Sequence, residues 1–381
     1  MKKLMVFLAC LAAFAMVFGF TVTAAMADAD LYGSIRFRTY WIDQDKAFTG
    51  YKATNTGFDD EDLDWRIGYL SRWGVNYQSG NIKGKLEMDT RDADGDEGSA
   101  ELGDVRVRHL YGEWDFGMGK LLIGQTFNPC TVYASGIGYY SGGLQPFHGT
   151  GLKYFRTSQI RLTFDKFMIA FMTPDTDMDE VTYFGPGGGG DIDTTLPRIE
   201  ARYSFTLDPV KLDVMGGWQS YDVVDATDDE EDIDSYFLGL YAQANFGPCY
   251  VKGLLNYRQN GGNYGLWSST VVNETASWNG SDFDDVEAWG YGAVIGYKFS
   301  DKITVEASYA GSTAENDDMA GDPEDDAQAY ALLVKYSPAP GVIIQPEIIY
   351  DDQQDSDYLL PGDDDEGDAL IIGVFWMINF K

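Results

Sequence analysis

Cysteine and histidine are scarce, with three Cys and two His in 381 residues. A disulfide framework, a zinc cluster or a His-based catalytic triad needs more of them than this. Basic side chains are few as well. Against 61 Asp and Glu stand 27 Lys and Arg, a formal charge of -34, which repels a polyphosphate and argues against nucleic acid as a partner. After Ala27 no apolar run is long enough for a transmembrane helix, and no segment sustains a 3.6-residue period. What is plentiful is apolar and aromatic: 44% of residues are hydrophobic and 15% aromatic. They are spread along the whole chain, so the acidity is not that of a disordered polymer.

The first 27 residues read as a secretory signal. Lys2 and Lys3 form a positive n-region, Leu4 to Phe20 an apolar h-region, and Ala25-Met26-Ala27 a small-residue cleavage site. Phe7-Leu8-Ala9 before Cys10 is a poor lipobox. The mature chain is expected to run over 28–381, with Cys130 and Cys249 too far apart in sequence to suggest a pair.

The recurring pattern in that mature chain is period two. Tyr236, Leu238, Leu240, Ala242, Ala244 and Phe246 alternate with smaller or more polar residues, as do Trp289 through Phe299 and Leu370 through Phe380. This is the signature of a strand with two unlike faces. The template predicts strands near 31–42, 63–78, 82–91, 104–116, 119–127, 152–164, 167–173, 198–206, 209–221, 234–246, 250–259, 286–299, 302–311, 327–337, 341–350 and 368–380. Tight turns and long loops alternate between them, and each strand entering a tight turn ends in an aromatic: Tyr77, Phe116, Phe164, Phe205, Phe246, Phe299, Tyr336 and Phe380. Rings at one height form an interfacial girdle. The expected fold is all-β: a 16-stranded antiparallel transmembrane β-barrel with short periplasmic turns and long acidic extracellular loops. Outward parity changes between Val107 and Leu110, which predicts a one-residue bulge around Arg108-His109.

Charges are sorted by position. Loops 43–62, 92–104, 174–197, 222–234, 259–287, 312–326 and 351–368 hold 47 of the 61 acids. They are read as external, solvated segments able to collect Ca or Mg and to bridge the phosphates of lipopolysaccharide. Asp92, Asp94 and Asp96 have calcium-like spacing, without the Gly and Glu that complete such a loop. Basic residues lie within strands, on the parity away from lipid: Arg36, Arg38, Arg66, Arg72, Lys83, Lys85, Arg106, Arg108, Arg161, Arg198, Arg202 and Lys252. A lipid-facing Arg at mid-depth costs about 2 to 4 kcal/mol, so these must face a polar interior. Eight come from the first four strands and should form a basic wall, partly paired with Asp64, Glu87, Asp89, Glu113 and Glu200. On the last strand, the inner parity Ile371, Phe375 and Met377 is more apolar than a wet lumen calls for.

Residues 128–151 contain no acid and no Lys or Arg. This third long loop, with Tyr133, Tyr139, Tyr140, Gln145, Phe147 and His148, is expected to fold inward and narrow the channel. With these features the chain resembles the trimeric Gram-negative porins. More local likenesses are Ser71-Arg72-Trp73-Gly74-Val75, Arg108 through Trp114 continuing into Leu121 through Phe127, and Ser158 through Phe164. They are similar to strands of the branch that passes dicarboxylates and other small anions. The resemblance implies a homotrimer in the outer membrane and a third loop facing the basic wall; a water-filled barrel gives passive diffusion of small hydrophilic solutes, with a preference for anions expected from Arg36, Arg38, Arg66, Arg72, Arg106 and Arg108. It departs from the family in lacking an acidic cluster on the third loop and in carrying Lys381 after Phe380. No cofactor and no enzymatic activity are expected, since neither His109 nor His148 has a Ser and Asp constellation. The competing reading is a structural or adhesive barrel whose acidic loops bind divalent cations.

Overall fold

A computed structural model describes residues 29–45, 60–68, 70–90, 105–132, 134–139, 156–176, 191–224, 230–266, 272–317, 319, 321–354, 356–357 and 366–381. The segment 1–27, Asp92, Asp94, Asp96, Tyr133, Tyr140, Gln145, Phe147 and His148 lie outside them.

The strands are β1 (Ala29–Gln44), β2 (Asp60–Ile67 continued by Arg72–Ser79), β3 (Ile82–Thr90), β4 (Val105–Asp115), β5 (Lys120–Phe127), β6 (Arg156–Phe164), β7 (Phe167–Met172) and β8 (Asp191–Asp193 continued by Arg198–Leu207). They are followed by β9 (Val210–Val224), β10 (Glu230–Phe246), β11 (Cys249–Gln259), β12 (Glu287–Lys298), β13 (Ile303–Glu315), β14 (Glu324–Tyr336), β15 (Val342–Asp352) and β16 (Asp368–Phe380). Every neighbour in this order is antiparallel, and β16 pairs with β1 from Gly33↔Phe380 to Gln44↔Ala369, which closes a barrel of sixteen strands. Closure removes the exposed edges that a membrane does not tolerate.

One strand departs from the uninterrupted run that the periodicity predicts, and another gains a short piece ahead of its predicted run. β2 is broken around Leu70, which has φ of 68°, and the Ser71 hydroxyl accepts the Arg36 N–H at 3.0 Å; both pieces nevertheless ladder to β1. In β8 the short first piece pairs with the same strand, β9, as the longer second. The bulge is present. Glu87 faces His109 and Met88 faces Val107, leaving Arg108 as the extra residue. This lets Val105 and Val107 on one side of the bulge, and Leu110 and Trp114 on the other, all remain on the exposed outer surface.

That outer surface is the hydrocarbon face, with Ile35, Leu63, Ile123, Ile160, Leu238, Ile295 and Ile378 exposed. Rings at the short-turn end include exposed Phe164, Phe246, Phe299 and Phe380. Toward the loop end Tyr291, Tyr309, Tyr330 and Tyr350 stand in a row with successive centroids 6.1, 4.9 and 6.5 Å apart. Tyrosine suits that height because its ring packs on apolar neighbours while its hydroxyl finds a polar partner: Tyr350 donates to Asp368 at 3.0 Å.

The packed core lies inside the barrel. One cluster joins Ile137 and Tyr139 of the third loop to Tyr40, Ala310, Ala329, Leu333, Ile349, Ile371 and Phe375 on the wall. A second joins Cys130, Val132 and Ala134 to Met215, Phe237, Leu254 and Val294, and to Tyr264 and Leu266 from the loop between β11 and β12. The first cluster accounts for the apolar inner parity of β16, since Ile371 and Phe375 face the third loop and not water.

Candidate functional site

The third loop leaves β5 and runs inward along the wall, held at successive points by strand side chains. Near its root Glu200 of β8 accepts from Asn128 Nδ2 and from the Cys130 N–H, both at 3.2 Å. Arg202 donates to the Pro129 and Thr131 carbonyls at 3.2 and 3.3 Å, and Lys252 of β11 to the Ala134 carbonyl at 2.6 Å. Glu306 of β13 accepts the Ser135 hydroxyl at 2.9 Å and the Gly136 N–H at 2.6 Å. Glu347 of β15 accepts the N–H groups of Gly138 and Tyr139 and the Tyr40 hydroxyl. Arg38 donates to the Tyr139 carbonyl and stacks 5.0 Å over its ring. A loop in a barrel interior has backbone groups that no ladder satisfies, and buried charged side chains on the strands take that role here.

The loop sits close because small residues permit it. A Cβ at Gly138 would lie 2.3 Å from the Phe375 ring. Beneath the loop the wall offers Ala310, Ala329 and Ala331, all buried. Burial of Cys130 also pushes its thiol well above the ordinary range, which keeps it protonated as a donor to the Ala201 carbonyl at 3.4 Å.

The basic residues separate into two groups. Arg36, Arg38, Arg108 and Arg198 are buried. Arg66, Arg72, Lys83, Lys85 and Arg106 remain at least partly accessible. Asp64 bonds Arg66 at 2.6 Å and lies 3.6 Å from Arg38. Glu87 reaches Arg108 at 2.7 Å, Lys85 at 3.4 Å and Arg72 at 3.8 Å. Asp89 reaches Arg106 at 2.8 Å and Arg108 at 3.0 Å. Among the described residues, three carboxylates thus serve six cations on β1 to β4, a local excess of positive charge. Arg161 donates to the Phe127 carbonyl at 3.2 Å, and Arg202 is paired with Asp213. The third loop and the basic wall are therefore parts of one lumen.

Placing the whole of 259–287 outside the barrel needs correction. Asn260–Leu266 folds inward: Tyr264 is 0% exposed, and Leu266 packs with Cys130 and Val132. Arg258, at the end of β11 and absent from the predicted wall, bonds Glu274 at 2.6 Å with both side chains 0% exposed. Burial pushes Glu274 up to about 7, Arg258 opposing and Asp325 adding to the shift. A signal for this segment existed: residues 259–273 are uncharged and rich in Gly and aromatics, like the third loop. The acids that follow this stretch mask it when the loop is read as a whole.

Comparison with known proteins agrees with this architecture. No curated protein matches the chain in sequence. Among solved structures, the outer membrane channel DcaP of Acinetobacter baumannii superposes with a TM-score of 0.70 at 18% identity, over 93% of this chain and 97% of that one. The anion-selective porin from Comamonas acidovorans gives 0.59 at 15% identity, over 92% and 99%. The trimer form of OmpT from Vibrio cholerae gives 0.57 at 16%, over 92% and 99%. The family model for Gram-negative porins matches residues 11–356. A closed barrel with an apolar outside, a polar wall and an inward loop is an outer-membrane channel for small solutes, and the chain belongs to the Gram-negative porin family.

Proposed function

We propose that this porin favours small anions, carboxylates or phosphate, and that Arg66, Arg72, Lys85 and Arg106 set the preference. The observation carrying the reading is that, among the described residues, six cations share Asp64, Glu87 and Asp89, with Arg72 and Arg106 retaining 26% and 35% side-chain exposure. Acids on the external loops attract cations, but exposed charges are screened within about 8 Å at physiological salt. Charges inside a narrow lumen act at close quarters on a passing ion, so the wall outweighs the mouth. The reading extends to assembly as a homotrimer, to export through cleavage after Ala27, and to Ca or Mg held by the acidic loops against lipopolysaccharide.

The test is the reversal potential in a planar bilayer under a salt gradient. Wild-type protein is expected to be anion-selective, and Arg66→Ala, Arg72→Ala and Arg106→Ala together should move it toward cation preference. A cation-selective wild type, or a reversal potential indifferent to all three changes, overturns the reading.

A further inference from the structure

We propose that Tyr264, on the loop between β11 and β12, is a positioning residue for the constriction: through Glu200 it fixes the root of the third loop. The link is continuous. The Tyr264 hydroxyl donates to Glu200 Oε1 at 3.3 Å, and the two oxygens of Glu200 accept the third loop's Asn128 Nδ2 and Cys130 N–H. Glu200 alone could hold those two groups in more than one rotamer. A third donor from the far side restricts that freedom, since each further hydrogen bond to a buried carboxylate narrows the rotamers it can adopt.

Tyr264 is itself held from several directions. Arg198 donates to its carbonyl at 3.1 Å and stacks 5.1 Å over its ring, while Phe237 meets the ring edge-on at 5.2 Å. Gln219 takes the neighbouring Asn263 carbonyl at 2.6 Å. The site for the hydroxyl exists because β9 carries glycine there, since a Cβ on Gly217 would come within 2.2 Å of it. Burial raises the phenol well above its ordinary range, so it stays a donor at every physiological pH. The barrel is thus narrowed by two loops sharing one apolar core, Cys130 and Val132 from one and Tyr264 and Leu266 from the other. The inference rests on the chain being a channel and not on its ion preference.

Single-channel recording in symmetric salt tests it. Tyr264→Phe keeps the ring and removes the donor; more frequent closing events are expected, with little change in mean conductance. Gly217→Ala displaces the ring as well and should raise open conductance about 1.5- to 2-fold as the third loop loosens. Glu200→Gln, which replaces one accepting oxygen by a donor, should flicker at least as often as Tyr264→Phe, and the double variant should be no worse than Glu200→Gln, because Tyr264 acts through Glu200. Heat-modifiable gel mobility establishes that each variant has folded, and Tyr264→Phe, the mildest change, keeps the test available if Gly217→Ala does not fold. Wild-type conductance and gating in both Tyr264→Phe and Gly217→Ala, or flicker rates that multiply in the double variant, overturn the proposal. Reversal potentials are measured separately, so a wild type without anion preference would count against the charge reading alone.

Discussion

The inner faces of β2 to β4 and of β12 to β14 are laid out on the same pleat, yet they carry opposite chemistry. The first presents Arg66, Arg72, Lys83, Lys85 and Arg106; the second presents Ala288, Gly290, Val294, Ala310, Ala327 and Ala329. The first remains partly open, whereas the residues of the second are buried. Charged side chains on the open wall reach into water, while the small ones on the other leave space for a second layer of chain. One barrel thus combines a wet wall with a packed one, and the passage is asymmetric because its filling is.

That contrast can be broken most forcefully at an ion pair. Arg258→Ala strands Glu274 in the packed half and should cost about 3 to 5 kcal/mol of stability, read by urea unfolding in detergent. Arg106→Ala on the open wall should cost under about 1 kcal/mol, since Arg108 keeps Asp89 paired and Arg106 is partly solvated. Equal losses would erase the distinction. Next in size is overpacking: Ala329→Leu, beneath the third loop, should cost about 1 to 3 kcal/mol and alter conductance, whereas Lys83→Leu should do neither. A conductance unchanged by Ala329→Leu would mean that the loop does not rest on that wall.

The smallest effect is a pH dependence. The folded Glu274 value of about 7 lies above the ordinary 4.5, so the docked loop holds a proton more tightly than an undocked one. Docking is then strongest at acid pH and weakens as pH rises from the ordinary value through the folded one. Among the described residues, Arg258 and Asp325 are charged groups that face this carboxyl. Limited proteolysis within Asn260–Leu266 should be faster near about pH 8 than near about pH 5, and Glu274→Gln should flatten the difference. Faster cleavage at the acid end would reverse the assigned sign.

Strand positions, the closed barrel and the bulge at Arg108 were legible in the sequence because each follows from a local rule of alternation. The inward third loop was legible from its lack of charge. The dryness of Arg36, Arg38, Arg108 and Arg198 was not, because an inner-facing Arg reads the same whether water or another segment covers it. For the same reason Ile371 and Phe375 looked out of place until Ile137 and Tyr139 were found against them. The inward course of Asn260–Leu266 was obscured because its uncharged stretch is shorter than the acidic loop that contains it.

The sequence by itself determined which side of each strand meets lipid, since a period of two assigns every residue to one face and hydrocarbon tolerates only apolar groups there. Only the tertiary structure decided which part of the inner face stays wet. That depends on loops anchored up to seven strands away and on the buried carboxylates and arginines that satisfy their backbone, and a pattern confined to one strand carries no information about its cover.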